Sequence, residues 1–258
     1  MSQPNMPREP PLVPAQITSK RELTALCEVE DYETGAVLRT TFTFVDAHHT
    51  AWSGQVSGIR KYDLTVEQVR QSLQQIPDGT VYQAITQDLT IIPDDTAAYY
   101  IKRPKFLCLD DAEEAKLLPK MLAEEANVLE SLRSRPNRNL VRYHGCITAR
   151  GRIVGLALEK YDIVLQYRFE DDPRELDSLT CMRELRAGIE HLHSLDYAHN
   201  DLNPMNVAMD KGDAPVILDF GSCRKFGEAL LSGGTPGWID GGFGASAAQH
   251  DVSALRKM

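Results

Sequence analysis

His199-Asn200-Asp201-Leu202-Asn203-Pro204-Met205-Asn206, running on through Val207-Ala208-Met209 and Asp210-Lys211-Gly212-Asp213 to Val216-Ile217-Leu218-Asp219-Phe220-Gly221, is the stretch that decides the fold. Two short apolar runs, 207–209 and 216–220, read as strands, and the turn residues at 210–213 join them as a hairpin. Asn206 stands just before the first strand and Asp219 near the end of the second. An antiparallel hairpin brings those two ends together, so an amide oxygen and a carboxylate lie side by side. Asp201 precedes Asn206 by five residues and adds a third oxygen donor. A few hard oxygen donors, with room left for phosphate oxygens and water, suit Mg²⁺ rather than zinc. Asp and Asn also start turns; it is the two segments together, at this spacing, that point to chemistry.

Upstream, 117–132 reads as a helix with Leu118, Met121, Leu122, Val128, Leu129 and Leu132 on one face. Glu125 falls inside that apolar stripe, and a carboxylate turned toward a core is costly without a partner. The strand at 97–101 leads into Lys102, which offers the cation; Lys105 is a weaker candidate because Pro104 disrupts the strand before it. Strands are expected at 141–148 and 152–158 with a turn at 149–151, and a helix at 176–195 with Leu179, Met182, Leu185, Ile189 and Leu192 inward. Nearer the start, the β-branched and aromatic run from Ala36 reads as one or two strands. A short helix is expected at 64–76, capped by Thr65 and stopped by Pro77 and Gly79, and a strand at 80–85. Residues after Gly221 are Gly-rich and loop-like until Asp251.

The composition, 42% hydrophobic and 25% charged over 258 residues, supports a real core in one domain or two small lobes. A net charge of −9 argues against a nucleic-acid binder, which needs clustered cations. Five widely spaced cysteines with no CxxC pair give neither a zinc site nor a disulfide scaffold and fit a reducing compartment. Residues 1–20 are polar and Pro-rich rather than a signal peptide, and no apolar run approaches a membrane span, so no membrane partner and a cytoplasmic location are expected. The adjacent pair His48-His49 reads as a turn rather than a metal site. Trp52 and Trp238 read as packing residues, and Cys223 as an inert thiol.

With these residues in view, the sequence resembles the eukaryotic protein-kinase-like superfamily, most closely a short fungal serine/threonine protein-kinase-like family. The carriers are Tyr-Ile-Lys102-Arg-Pro, Glu125-Ala-Asn-Val-Leu129, Asn139-Leu-Val-Arg-Tyr-His-Gly145, the loop 199–206, Asp219-Phe-Gly221 and Gly234-Thr-Pro-Gly-Trp238, in that order over roughly 97–258. The resemblance implies an α+β, two-lobe protein-kinase-like fold with a strand-rich N-lobe and a helical, apparently shortened C-lobe. The expected organisation is a disordered Pro-rich tail at 1–17, a strand-rich extension and start of the N-lobe at 18–96, the N-lobe core at 97–160, and a C-lobe at 161–258 truncated near the start of its anchoring helix.

The implied activity is ATP- and Mg-dependent transfer of a phosphoryl group to a Ser or Thr hydroxyl of a protein substrate. Lys102 would bind phosphates and pair with Glu125. Asp201 would accept the hydroxyl proton or orient the hydroxyl, and Asn206 and Asp219 would hold magnesium. Leu158 would be the gatekeeper, with Glu159 to Tyr161 the hinge that meets adenine. His199 and Phe220 would pack in an internal spine, and Asp251 would start the helix that anchors the catalytic loop. Four departures stand out: no GxGxxG precedes Lys102, Asn200 replaces the usual Arg, Asn203 replaces a Lys that contacts the γ-phosphate, and there is no Ala-Pro-Glu. They imply slow turnover, or a pseudokinase that serves as an interaction module. A small-molecule kinase of the aminoglycoside or choline phosphotransferase type also uses an HxDxxxxN loop without that Lys.

Overall fold

The computed structural model describes residues 17–85, 88–93, 97–104, 115–231, 233–239 and 244–258. The described residues fall into two compact units, 17–81 and 82–258. The Pro-rich tail lies outside them, except for Ile17.

In the first unit, β1 (Ala25–Glu30), β2 (Val37–Val45), β3 (Ala51–Ser57), α1 (Val66–Ser72), β4 (Gln74–Gln75) and α2 (Asp78–Val81) follow in order. The four strands form one antiparallel sheet in sequence order. The alternation expected of a half-buried strand is visible in β2, where Thr40, Phe42 and Phe44 turn inward. Phe42 faces Gly54 across the sheet, and a Cβ at Gly54 would lie 2.5 Å from the Phe42 ring, so only glycine lets that ring cross β3. Phe42, Phe44, Trp52, Leu64, Val69 and Leu73 close the core, together with Ile17.

Two expectations are corrected here. Thr65 caps α1 through a capping box with Gln68, as read, but the helix ends at Ser72 rather than near Ile76. Gln74 and Gln75 pair with β3 instead, and Ile76 N–H donates to Ala51 O at 2.8 Å. The strand expected at 80–85 is absent as well. Thr80 N–H bonds back to Pro77 O, which winds 78–81 into a helical turn that buries Val81, and only Ala84 then makes a bridge, to Arg152. His48 and His49 do sit in a turn, which Asp46 caps by accepting from His48 N–H and Thr50 N–H.

The second unit opens with β5 (Tyr100–Lys102), α3 (Leu118–Arg133), β6 (Tyr143–Ala149) and β7 (Arg152–Leu158). The strands form an antiparallel sheet in the order β5-β7-β6. The other side of β6 carries residues 90–92, upstream of β5: Cys146 N–H donates to Thr90 O and Ile92 N–H to Cys146 O. Helix α3 has Pro119 in its first turn, where a missing N–H costs nothing, and buries Leu118, Leu122, Val128, Leu129 and Leu132.

Next come β8 (Ile163–Val164), α4 (Arg168–Asp171), α5 (Ser178–His193), β9 (Tyr197–Ala198), β10 (Val207–Met209), β11 (Pro215–Ile217), β12 (Arg224–Lys225) and α6 (Ala248–Lys257). Helix α5 begins at Asp177, whose carboxylate accepts from Thr180 N–H. Leu185, Ile189 and Leu192 point inward as expected. Leu179 does not: it lies in the first turn and is 84% exposed, and Cys181 takes the inward position. Strands β10 and β11 form the expected hairpin, in register Val207↔Ile217. The second strand stops at Ile217 because Asp219 adopts φ 54°, which breaks the extended backbone. The loop-like stretch ends earlier than read, since α6 starts at Ala248 and carries Asp251 in its first turn.

Candidate functional site

Lys102 ends β5, and Glu125 sits midway along α3. The ammonium lies 2.6 Å from Glu125 and 2.7 Å from Asp219 Oδ1. Glu125 is 2% exposed, so the carboxylate in the apolar stripe has the partner that its burial demands. It also accepts from Phe220 N–H at 3.0 Å, tying α3 to the segment after β11. Burial pulls the Lys102 ammonium down, but the Glu125 and Asp219 carboxylates outweigh it and push its pKa up to about 12, so Lys102 is charged. Burial raises the Glu125 carboxyl, and Lys102 opposes that.

Asp219 holds its left-handed backbone while its carboxylate accepts from Gly221 N–H at 3.3 Å. A non-glycine residue at positive φ marks stored strain, and such residues gather at functional sites. A Cβ at Gly221 would sit 3.2 Å from Asp219 Oδ1, so position 221 keeps the carboxylate unobstructed.

The hairpin brings its two ends together as read, with Leu218 N–H donating to Asn206 O at 2.8 Å. Asn206 Nδ2 donates to Asp201 O and Oδ2 at 2.7 and 3.1 Å, which leaves Oδ1 as its acceptor. Asp201 Oδ1 accepts from Thr235 N–H at 2.7 Å and from Asn203 Nδ2 at 3.3 Å. Asn203 also donates to Thr235 Oγ1, at 3.2 Å. Thr235 belongs to the Gly-Thr-Pro-Gly-Trp segment and thus touches Asp201 directly.

The loop beneath is held by α6. Asp251 is fully buried and accepts from His199 N–H and Asn200 N–H, both at 2.9 Å, while His193 Nε2 lies 2.8 Å from it. His199 Nε2 lies 2.8 Å from Leu218 O, its Nδ1 accepts from Asp201 N–H, and its ring meets Phe220 edge to face at 5.4 Å.

Asn200 was read only as a missing Arg, yet it organises the loop. It is 1% exposed at φ 62°, a conformation that Asn tolerates better than most residues. Its Nδ2 donates to Ala198 O, Ser222 O and Ser246 Oγ, and its Oδ1 accepts from His250 Nδ1 at 2.9 Å. No local sequence pattern announces these partners, because two of them lie 46 and 50 residues away.

Leu158 closes β7, buried and paired with Tyr100 and Tyr143. Glu159 N–H donates to Arg142 O, and its carboxylate meets His144 at 2.9 Å. Tyr161 packs on the core, and burial with the nearby Glu159 charge raises its hydroxyl pKa. Cys223 is buried, and burial followed by the Asp251 charge raises its thiol well above the usual range, as an inert cysteine should be. Lys105 lies outside the described residues.

The donor set fits magnesium on two grounds. One ammonium between two carboxylates leaves the cluster one charge negative, which a cation offsets, and Asp219 with Asn206 supplies oxygen ligands only. Among the described residues no group of three or more His, Cys, Asp or Glu gathers as a metal cage.

A lysine strand, a helix glutamate paired to it, and an Asp–Asn–Asp set on a loop and hairpin define the catalytic-core architecture of a protein kinase. The chain belongs to that family: the family described as protein kinase domain matches residues 91–239. Among curated proteins, human serine/threonine-protein kinase/endoribonuclease IRE2 is 31% identical over 134 residues, covering 46% of this chain and 14% of that protein. The IRE1 protein of Hypocrea jecorina is 32% identical over 120 residues, 39% of this chain and 10% of its own length. Mouse serine/threonine-protein kinase MRCK alpha is 33% identical over 82 residues, 30% and 5%. The chain thus spans about a seventh or less of the length of these relatives. No described helix is long and apolar enough to cross a membrane.

Proposed function

We propose that this chain is an ATP- and Mg-dependent phosphotransferase that acts on a Ser or Thr hydroxyl of a protein substrate. The observation that carries the reading is the triangle of Lys102, Glu125 and Asp219, in which residues from a strand, a helix and a hairpin end converge within 2.7 Å. A half-buried lysine held charged by two carboxylates serves to receive phosphate oxygens; neutral packing gives no reason to assemble it. Bound at Asp219 and Asn206, magnesium would neutralise charge on the phosphates.

Glu125 fixes the Lys102 ammonium. Asp201 takes the substrate hydroxyl proton or orients that hydroxyl, and Thr235 N–H and Asn206 Nδ2 hold its two oxygens in place. Leu158, Glu159 and Tyr161 form the wall and backbone edge that the adenine meets. Asn203 braces Asp201 but brings no charge to the γ-phosphate, which favours slow transfer.

Transfer of labelled γ-phosphate to a mixed protein substrate, compared between wild type and Asp201→Asn, tests the reading. The expected loss is roughly 10²- to 10⁴-fold, the usual worth of a positioned acid or base. Unchanged transfer in the variant contradicts the assignment of Asp201. A folded wild type with no transfer at all returns the pseudokinase reading, which Asn203 favours.

A further inference from the structure

Glu125 can hold Lys102 only while α3 keeps its place, and a segment that the proposed chemistry does not use fastens that helix. Residues 82–85 and 88–92 run along the β6–β7 pair. Ile153 N–H donates to Gln83 O at 3.0 Å and Ile85 N–H to Gly151 O at 3.1 Å, and Thr90 O accepts from Cys146 N–H at 2.7 Å. Arg152 adds a bond to Tyr82 O at 2.8 Å. The seat requires close approach: a Cβ at Gly145 would lie 2.8 Å from Thr90 O and 2.9 Å from Ile92 Cγ2, so a side chain there would push the segment off β6. From that seat Thr90 reaches α3. Its N–H donates to Glu130 Oε2 at 3.0 Å, and its hydroxyl donates to Glu130 Oε1 at 2.8 Å. Arg133 donates to the same hydroxyl oxygen and pairs with Glu130 at 3.3 Å. Burial raises the Glu130 carboxyl, but the Thr90 bonds and Arg133 outweigh it and lower its pKa, so the group that receives the segment is ionised. Nearer the start of α3 a groove of about 300 Å³ opens between Gln83, Ala84 and Leu89 on one side and Lys120, Ala123 and Asn127 on the other, and the polar grip falls at Thr90.

We infer that Thr90 and Glu130 are positioning residues, which lock α3 to the edge of β6 and thereby hold Glu125 against Lys102 and the Phe220 N–H. Both carboxylates belong to the same helix, and neither Pro nor Gly stands between them, so a shift at Glu130 is carried to Glu125. The bonds from Thr90 go to a charged acceptor, the stronger class of hydrogen bond. Two rows of bonds therefore meet on one helix: Glu130 faces the segment at 90, and Glu125 faces the strand lysine and the end of the hairpin. The hold exists whether or not phosphate is transferred; its consequence for transfer rests on the reading proposed above.

Amide hydrogen exchange followed by NMR on wild type, Thr90→Val and Thr90→Ser is the test. Valine keeps the volume of threonine and removes the hydroxyl. The Phe220 amide is the reporter, because it donates to Glu125 and is remote in sequence from Thr90. In Thr90→Val, exchange should quicken roughly tenfold within α3 and at Phe220 while 185–192 of α5 keeps the wild-type rate, and Thr90→Ser should restore the slow exchange. No quickening, quickening confined to 88–92, equal quickening in α5, or no rescue by serine overturns the inference. In the transfer assay kcat should fall at least about threefold in Thr90→Val, with the KM for the protein substrate unchanged. Faster exchange at Phe220 with an unchanged kcat overturns the positioning role. A wild type that transfers no phosphate contradicts the phosphotransferase reading alone, and the exchange pattern then decides this one.

Discussion

The two units bury polar groups in different ways. In the first unit the buried carboxylate serves its immediate neighbours, Asp46 accepting from His48 N–H, Thr50 N–H and Trp52 Nε1, all within six residues, and the buried Thr40 hydroxyl reaches no further than Ile59 O, nineteen residues on. In the second unit they reach across the chain. Glu125 accepts from Phe220 N–H 95 residues away, Lys102 meets Asp219 across 117, and Asp251 holds His199 across 52. Local polar burial finishes a turn. Buried charges that join distant elements cost desolvation and fix a geometry, and of these residues all but Asp251 lie within 91–239, the segment matched to the protein kinase domain.

The contrast can be broken most directly by removing a central member from each unit. Lys102→Met leaves Glu125 buried beside Asp219 without its counter-charge. It should cost about 3–5 kcal/mol in denaturant unfolding and abolish phosphoryl transfer. Trp52→Ala should cost a similar amount, about 3–5 kcal/mol, through the cavity it leaves among Phe42, Leu64 and Val69. Transfer per folded molecule should nevertheless survive, because that core holds none of the site residues. Loss of transfer in folded Trp52→Ala, or full transfer by Lys102→Met, would erase the distinction.

A smaller effect sharpens it through pH. His250 is buried against Asn200, and burial lowers its pKa below 6.5, with the Asp251 charge opposing. The unfolded chain then binds more protons than the folded one over the window below 6.5, so this contribution is intact above that value and declines as pH falls through it. The melting temperature should drop from pH 7 to 5.5, and His250→Gln should flatten the drop. An equally steep decline in the variant would place the titration elsewhere.

Much of this arrangement was legible because it is local in sequence. The hairpin spacing of Asn206 and Asp219 follows from strand length and turn residues, and Glu125 stands out as the charge inside a helical apolar stripe. Lys102 was found as the partner only by asking what could neutralise Glu125. The two misread boundaries have different causes: pairing of Gln74–Gln75 with β3 overrode helix propensity at the end of α1, whereas Thr80 N–H bonds back to Pro77 O and winds 78–81 into a helical turn where a strand was expected. The roles of Asn200, His250 and Thr235 left no local trace, because, Ala198 apart, the partners described for them lie 22 to 51 residues away. Strands of two residues, β4, β8, β9 and β12, are too short for any periodicity to show.

The central claim is that Lys102, Asn206 and Asp219 form one magnesium–nucleotide site. Its most direct test is the melting temperature of wild type and Asp219→Ala with ATP, with and without Mg²⁺. At about a hundred times the Kd, ligand should add roughly 2.7 kcal/mol of stability. The account predicts a magnesium-dependent rise in the wild type that disappears in Asp219→Ala. A well-folded wild type that shows no rise, or a variant that keeps the whole of it, would contradict the account.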